Sequence, residues 1–399
     1  MTRAVHLGLS LLLGTATAVA FGQATASPDR QRQAALASEQ AGNIVEAETE
    51  WRSYAKVHPS NPEPYAHLAI LEARQEHFKE AVPLYRKALA LDPNVQGLRL
   101  NLGLALFKGG DLQGAIAEFL AARKSVPSDS PDAQRLDILT GMAHYGLAQY
   151  AEAVPFLKHA TTRDQQNLPL RLALAHSCLW SKQLQCVMDV YHEILTLNSE
   201  SAEADMIAGE AMDEMKDTEG STRMFRAAIK ANPKEPSAHF ALGYMLWTQK
   251  IYPEASKEFL AELANDPNHV QSMLYLGDTY LQLNNQPEAQ RILEKTRGLD
   301  PTLALAHLDL GVIYTDQDRT EDALRELVIA EKLDPQDVNV HWRLGRLYRA
   351  AGKKDEAKAE FDKASSINKA VDDDLLKKIA NGKPRVPSAD ATPLDTPQP

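Results

Sequence analysis

Three histidines recur at multiples of 34 residues and could, by residue type, ligate a metal ion. They are His239, His307 and His341, among twelve histidines in the chain. Imidazole is a common zinc ligand, but a zinc site needs several ligands around one point. One histidine per 34-residue unit places each of them on a different unit. We therefore interpret them as packing residues and predict no metal site.

The two cysteines, Cys178 and Cys186, could form a disulfide or remain as two buried thiols. A turn midway between them would set both at similar heights on two antiparallel helices. A bridge needs Cα atoms within about 7 Å of each other, and an oxidising compartment would favour it. The disulfide is a hypothesis that the sequence leaves open.

Motifs of the common enzyme classes are missing from the sequence. It contains no His-Glu-x-x-His, no Gly-x-Ser-x-Gly, no phosphate-binding Gly-rich loop and no Cys-x-x-Cys. We therefore predict that the protein is not an enzyme and that it uses no cofactor. The chain carries 54 acidic and 43 basic side chains, a net charge of −11. This balance lacks the positive field that gathers nucleic acid, so no nucleic-acid partner is predicted.

The first 26 residues have the pattern of a secretory signal peptide. Arg3 precedes an apolar run over 7–20, and a small-residue site, Ala24-Thr25-Ala26, precedes Ser27. Residues 18–20 form a second candidate cleavage site, and a retained anchor is the alternative. The run is shorter than the roughly 20 residues that span a bilayer. We predict an exported protein, periplasmic or secreted, with no transmembrane segment in the mature chain.

The chain repeats with a period of 34 residues, interrupted by a four-residue insertion at 130–133. When each unit is numbered so that its recurrent proline is position 32, position 8 is always Gly or Ala and position 24 is always large. Position 20 is small in nearly every unit. The recurrent prolines are Pro59, Pro93, Pro127, Pro233, Pro267, Pro301 and Pro335.

These positions predict pairs of closely packed helices. Gly inside a helix costs about 1 kcal/mol against Ala, so its recurrence at position 8 indicates a close crossing, which we expect to be with position 20. Positions 20, 24 and 27 form a buried stripe on the second helix. A recurrent Leu-Asp-Pro, as at 299–301, ends that helix, because Pro cannot continue it. The predicted fold class is all-α.

The pattern resembles the tetratricopeptide repeat (TPR) family over residues 28–369, as ten repeats. The motif recurs in phase in Leu242-Gly243-Leu246, Leu276-Gly277-Tyr280, Leu310-Gly311-Tyr314 and Leu344-Gly345-Tyr348. Gln165 and Ser199 replace the proline in repeats four and five, and Lys369 does so in repeat ten. The resemblance implies a right-handed superhelical solenoid of helical hairpins. Residues 370–380 are predicted as a separate C-terminal capping helix, and 381–399 as a disordered Pro-rich tail.

In TPR arrays, positions 2, 5, 9 and 12 of the first helices line a concave groove that binds partners. Here several of these positions are apolar, and exposed apolar surface usually marks an interaction site. Position 5 residues could equally be packing residues, and the acids of repeat six, Glu203, Glu210 and Asp213, could be an ordinary solvated face. The predicted groove residues are Leu104, Phe107, Met142, Tyr145, His176, Leu179, Trp180, Tyr244 and Trp247.

The resemblance and the lack of catalytic motifs predict a scaffold that binds a peptide or a partner protein of unknown identity in this groove. The acids of repeat six would select a basic segment of that ligand. The alternative is a structural component of a bacterial envelope assembly, such as exopolysaccharide export or pilus biogenesis. No repeat has the Lys and Asn pair at positions 5 and 9 that clamps a terminal carboxylate in co-chaperones of this family.

Overall fold

In the computed structural model, residues 30–381 are described, and for residues 371 and 374–381 only the backbone is. All regular structure in this range is α-helical, which confirms the predicted fold class. The predicted signal peptide and residues 382–399 lie outside the described range. The helices are α1 (Arg30–Gln40), α2 (Ile44–Val57), α3 (Glu63–Arg74), α4 (Phe78–Leu91), α5 (Leu98–Lys108), α6 (Leu112–Arg123), α7 (Pro131–Gly146), α8 (Tyr150–Arg163), α9 (Leu168–Trp180), α10 (Leu184–Leu197), α11 (Ala202–Glu214), α12 (Thr218–Ala231), α13 (Ala238–Thr248), α14 (Tyr252–Asn265), α15 (Val270–Gln282), α16 (Gln286–Leu299), α17 (Ala304–Asp316), α18 (Thr320–Leu333), α19 (Val338–Ala350) and α20 (Lys354–Asn381).

The chain divides into two units between Glu235 and Pro236, at the border of repeats six and seven. Unit 1 contains α1 to α12, and unit 2 contains α13 to α20. Within each unit the odd-numbered helix of a repeat packs against the even-numbered helix that follows it, and each hairpin packs against the next. Each unit is thus a stack of helical hairpins, as the repeat predicts.

The helix stop in Leu-Asp-Pro depends on the acid as much as on the proline. The Asp at position 31 is the first residue past the helix, and its Oδ1 accepts a hydrogen bond from the backbone N–H two residues later, as from Thr302 to Asp300 at 2.9 Å. Asn198 makes the same turn in repeat five, where Ser199 replaces the proline. The side chain competes for a backbone donor and so turns the chain. Equivalent turns occur at Asp92, Asn232, Asp266 and Asp334.

The small residue at position 8 accommodates position 24, not position 20 as the sequence predicts. A Cβ built on Gly103 would lie 2.5 Å from a ring carbon of Phe119, and one on Gly277 would lie 2.6 Å from Leu293 Cγ. Position 20 is also buried, as at Ala115 and Ala289. The glycines therefore make room for one large side chain per hairpin, which fills the space between its two helices.

The recurrent histidines pair with a glutamate at position 23 of the same repeat. His307 Nδ1 lies 2.6 Å from Glu326 Oε2, and His341 Nδ1 lies 2.7 Å from Glu360 Oε2. Their Nε2 atoms lie 3.0 Å from the carbonyl oxygens of Pro301 and Pro335, in the preceding repeats. Each imidazole thus joins its own hairpin to the helix stop before it, which is a packing role, as predicted.

The end of the described range differs from the prediction. Residues 370–380 are helical, but they continue α20 without a break and do not form a separate capping helix. Lys369 stands where most repeats have proline, so nothing removes the backbone donor that the next helical turn needs. No helix in the described residues 30–381 is both long enough and apolar enough to cross a membrane.

Candidate functional site

In unit 1, the first helices of repeats three and four present partly buried apolar side chains. Leu104 and Phe107 on α5 pack against the core shared by α2 to α7. Met142 and Tyr145 on α7 pack against the next core cluster. All four keep part of their surface in solvent. They are positioned to contribute to both the core and an apolar binding face.

In repeat five the exposed group is Trp180, one residue beyond Leu179. Leu179 is only 5% exposed and belongs to the core, so it offers almost no surface to a ligand, whereas Trp180 is 59% exposed. The Trp180 ring stacks on Tyr150 with centroids 6.1 Å apart, and Tyr150 meets Tyr145 edge-on at 5.7 Å. Three aromatic rings therefore form a continuous platform between repeats four and five.

Acidic side chains border this platform on α11 of repeat six. His176 Nε2 lies 3.1 Å from Glu203 Oε1, and Lys182 Nζ lies 2.5 Å from Glu214 Oε1. Burial raises the pKa of Tyr145 to about 12, with Tyr150 and Glu203 adding to the effect.

Glu210, also on α11, is exposed to solvent. Its pKa is nonetheless raised by desolvation, against the opposing effects of His176 and Lys182. We call the surface formed by these side chains of unit 1, from Leu104 to Glu214, the unit 1 face.

In unit 2, Tyr244 and Trp247 of α13 form an aromatic cluster with Tyr275 of α15. Ring centroids are 5.1 Å apart for Tyr244 and Tyr275, and 5.0 Å apart for Trp247 and Tyr275, with near-perpendicular planes. Trp247 Nε1–H donates to the buried Asp278 at 2.5 Å. Tyr275 and Asp278 were not predicted. Tyr275 is at position 6 and contacts the preceding first helix, but no other repeat has tyrosine at this position, so no recurrent pattern indicates the contact.

Asp309 lies next to this cluster and is buried without adequate hydrogen bonding. It is 4% exposed, and its Oδ2 has no hydrogen-bond partner. Burial raises its pKa well above 3.8, and the nearby Asp278 raises it further, while Arg343 opposes the shift. Asp309 also stands at position 6 and was not predicted.

We expect Asp309→Asn to increase the free energy of unfolding by about 1–2 kcal/mol at neutral pH, because it removes an incompletely bonded buried acid. The stability contributed by the protonated carboxyl is fully present below pH 3.8 and is lost as pH rises through the raised folded-state pKa. The increase in stability of Asp309→Asn over the parent chain should therefore grow as the pH rises over this interval. Urea unfolding at a series of pH values measures it.

The control is Asp362→Asn, at an exposed position in α20. It should change the stability by less than about 0.5 kcal/mol at every pH. The explanation is wrong if Asp309→Asn leaves the pH dependence of the parent chain unchanged.

Within the described residues, one group of side chains brings three metal-ligand atoms together, but a lysine already pairs with two of the three groups. Glu331, His341 and Glu360 bring one ligand atom each within 4.8 Å of one another. Lys363 Nζ lies 2.6 Å from Glu331 and 2.8 Å from Glu360. His341 already contacts Glu360 and a backbone carbonyl. The group is an ion-pair network that holds α18, α19 and α20 together.

Cys178 and Cys186 are joined by a disulfide between α9 and α10, with their Cα atoms 5.8 Å apart. Cys178 is fully buried, and Cys186 is partly exposed. The bridge joins the two helices of repeat five, α9 and α10.

Models of the tetratricopeptide repeat match most of the chain. One such model matches residues 32–95, 67–130, 100–167, 214–270 and 308–368. A second tetratricopeptide repeat model matches residues 271–302. No curated protein matches the chain.

Several solved structures resemble parts of the chain. A tetratricopeptide repeat protein from Parabacteroides merdae is 18% identical, with a TM-score of 0.46, over 63% of this chain and 97% of its own. MamA from Desulfovibrio magneticus is 21% identical, with a TM-score of 0.38, over 42% and 96%. YrrB, a TPR protein with an unusual peptide-binding site, is 18% identical, with a TM-score of 0.38, over 47% and 97%. TM-scores below 0.5 give no basis for transferring a partner.

Proposed function

The chain belongs to the tetratricopeptide repeat family, and from this premise we propose that it is a non-enzymatic scaffold that binds a peptide or partner protein. Proteins of this family are generally interaction scaffolds. The binding surface proposed for this chain is the unit 1 face, and its ligand is a segment that carries apolar side chains next to a basic one.

The observation that carries this proposal is the neighbouring placement of the aromatic platform and the acids of repeat six. Trp180 is a large, exposed aromatic side chain, of the kind enriched in interface cores. Glu203 and Glu210 stand at the border of the platform, and both are exposed. A basic side chain reaching Glu210 would meet a desolvated carboxyl, where a charge-assisted hydrogen bond is stronger than in open water.

The location and the pathway are further proposals. The N-terminal pattern supports export to the periplasm or beyond, where the Cys178–Cys186 disulfide would persist. A fixed structural part of an envelope assembly is the alternative role, in which surfaces away from the unit 1 face would make the contacts.

The test is selection from a phage library of random 12-residue peptides on the full chain, followed by affinity measurement. We expect the selected peptides to combine Lys or Arg with apolar residues. Trp180→Ala should weaken their binding about tenfold or more, since truncation of an aromatic hot-spot residue at an interface costs about 2 kcal/mol or more. Glu203→Lys combined with Glu210→Lys should remove the preference for basic peptides.

The matched control is Leu120→Ala, an exposed apolar residue on the second helix of repeat three, away from the first helices. It should leave binding unchanged. Peptides that bind all variants equally would contradict the proposed site. Capture of several envelope components by both the parent chain and the Trp180→Ala variant would favour the assembly role instead.

A further inference from the structure

The first helix of repeat ten presents an aromatic and basic surface that no described element covers. Trp342 on α19 is 48% exposed, although it is one of the largest apolar side chains in the chain. Arg346 and Arg349 lie four and seven residues later, on the same helix face, and both are exposed. Trp342 and Arg349 both contact the Phe361 ring, at 4.9 Å and 5.6 Å.

The repeat explains why this surface is uncovered. In repeat seven the equivalent positions 5, 9 and 12 are Phe240, Tyr244 and Trp247, and all three contact Tyr275 of the next first helix. No further hairpin follows α20 in the described range, and α20 continues without a break over 370–380, where a separate capping helix was predicted. Trp342, Arg346 and Arg349 therefore occupy the positions that a next repeat would cover.

The basic groups of this surface are not neutralised by acids of the fold. Arg343, Arg346 and Arg349 are exposed and form no ion pair with any described side chain. Arg343 acts on the buried Asp309, where it opposes the rise in the pKa of that carboxyl. A half-exposed tryptophan, Trp342, stands among these arginines.

We propose that residues 386–399 of the same chain bind back onto this surface. The charged residues of this segment are Asp390 and Asp395, both acidic, and prolines stand at 387, 393, 397 and 399. Proline-rich segments dock on exposed aromatic rings, and arginine pairs with carboxylates in a two-pronged geometry. The segment thus carries prolines that complement Trp342 and carboxylates that complement the arginines.

The chain length permits this return. The helix α20 runs on from Phe361 to Asn381, which carries the chain about 30 Å along its axis at 1.5 Å per residue. From 382 to 390, an extended chain covers about 30 Å at roughly 3.3 Å per residue. Asp390 is therefore the first acid that can reach the level of Trp342. Asp395 lies five residues further along the chain and can reach it without full extension. A tethered segment acts at about millimolar effective concentration, so a weak contact is enough.

The experiment places a photo-crosslinking amino acid at Asn339 in the full chain. Asn339 is exposed on α19, three residues before Trp342. We expect illumination to join it to residues 386–399, identified by mass spectrometry of the digest. Asp390→Asn combined with Asp395→Asn should lower this yield at least fivefold, and so should Trp342→Ala. The control site is Leu299, which is 49% exposed in the same unit, and it should give no such crosslink.

Mixing isotope-labelled and unlabelled chains distinguishes contacts within one chain from contacts between copies. Mixed-label crosslinks would overturn the proposal in favour of a second copy. Crosslinks from Asn339 that miss residues 386–399 would also overturn it. A crosslinking yield that stays unchanged when both acids are replaced would overturn it as well. The same holds if the yields from Asn339 and Leu299 are equal.

Discussion

Phe259→Ala is expected to destabilise unit 2 by about 3–5 kcal/mol, the range for removing a fully buried phenylalanine. Phe259 is 0% exposed and fills the space that Gly243 leaves, where a Cβ would lie 2.8 Å from its ring. Its ring also lies 6.2 Å from both Phe240 and Tyr275. The substitution therefore opens a cavity between the two helices of repeat seven and removes support from the aromatic cluster above it.

Urea unfolding followed by circular dichroism measures the loss, and hydrogen exchange assigns it to residues 236–381. Exchange is needed because repeat arrays can unfold in parts, so one transition need not describe the whole chain. The control is Leu260→Ala, the next residue of α14, which is 47% exposed. It should change the stability by less than about 1 kcal/mol. Equal losses from the two variants would contradict the packing described here.

Gly277→Ala and Gly298→Ala are expected to change stability in opposite directions, although both lie in helices of repeat eight. A Cβ at Gly277 would lie 2.6 Å from both Cγ and Cδ2 of Leu293, whereas one at Gly298 would meet nothing within 4 Å. Overpacking should make Gly277→Ala destabilising by about 1–3 kcal/mol. Helix propensity should make Gly298→Ala stabilising by up to about 1 kcal/mol.

The same unfolding assay compares the two glycine variants. A second substitution, Leu293→Ala, tests the cause, because it removes the atoms that the new methyl would meet. In that background, Gly277→Ala should lose most of its effect. If Gly277→Ala stabilised the parent chain, position 8 would not be a packing requirement.

The repeat, its phase and the helical fold could be predicted because their signals are local. The spacing of positions 20, 24 and 27 reflects one helix, and the stop at positions 31 and 32 reflects a few adjacent residues. The family resemblance is confirmed by the repeat models that match the chain. The partner of position 8 was predicted wrongly, because small residues at both 8 and 20 fit a close crossing equally well.

The candidate site could be predicted only in part, because its exposure depends on neighbouring repeats. Leu179 and Trp180 are adjacent apolar residues in the sequence, yet one is buried and the other exposed. Tyr275 and Asp309 occupy position 6, whose environment is supplied by the preceding repeat. A pattern within one unit does not contain that information.

The histidines at position 4 make the stability of unit 2 depend on pH. The bond from Glu326 raises the pKa of His307, and the Pro301 carbonyl supports the shift. For His341, burial opposes the charge, but Glu360 and the Pro335 carbonyl outweigh it and the pKa is raised. The stabilisation is fully present below pH 6.5, the ordinary value, and is lost as pH rises through the folded-state pKa. Because the largest favourable effect on each histidine is the bond to a glutamate of its own repeat, and the carbonyl of the preceding repeat adds a smaller one, raising the pH weakens both the hairpin and its attachment to the repeat before it.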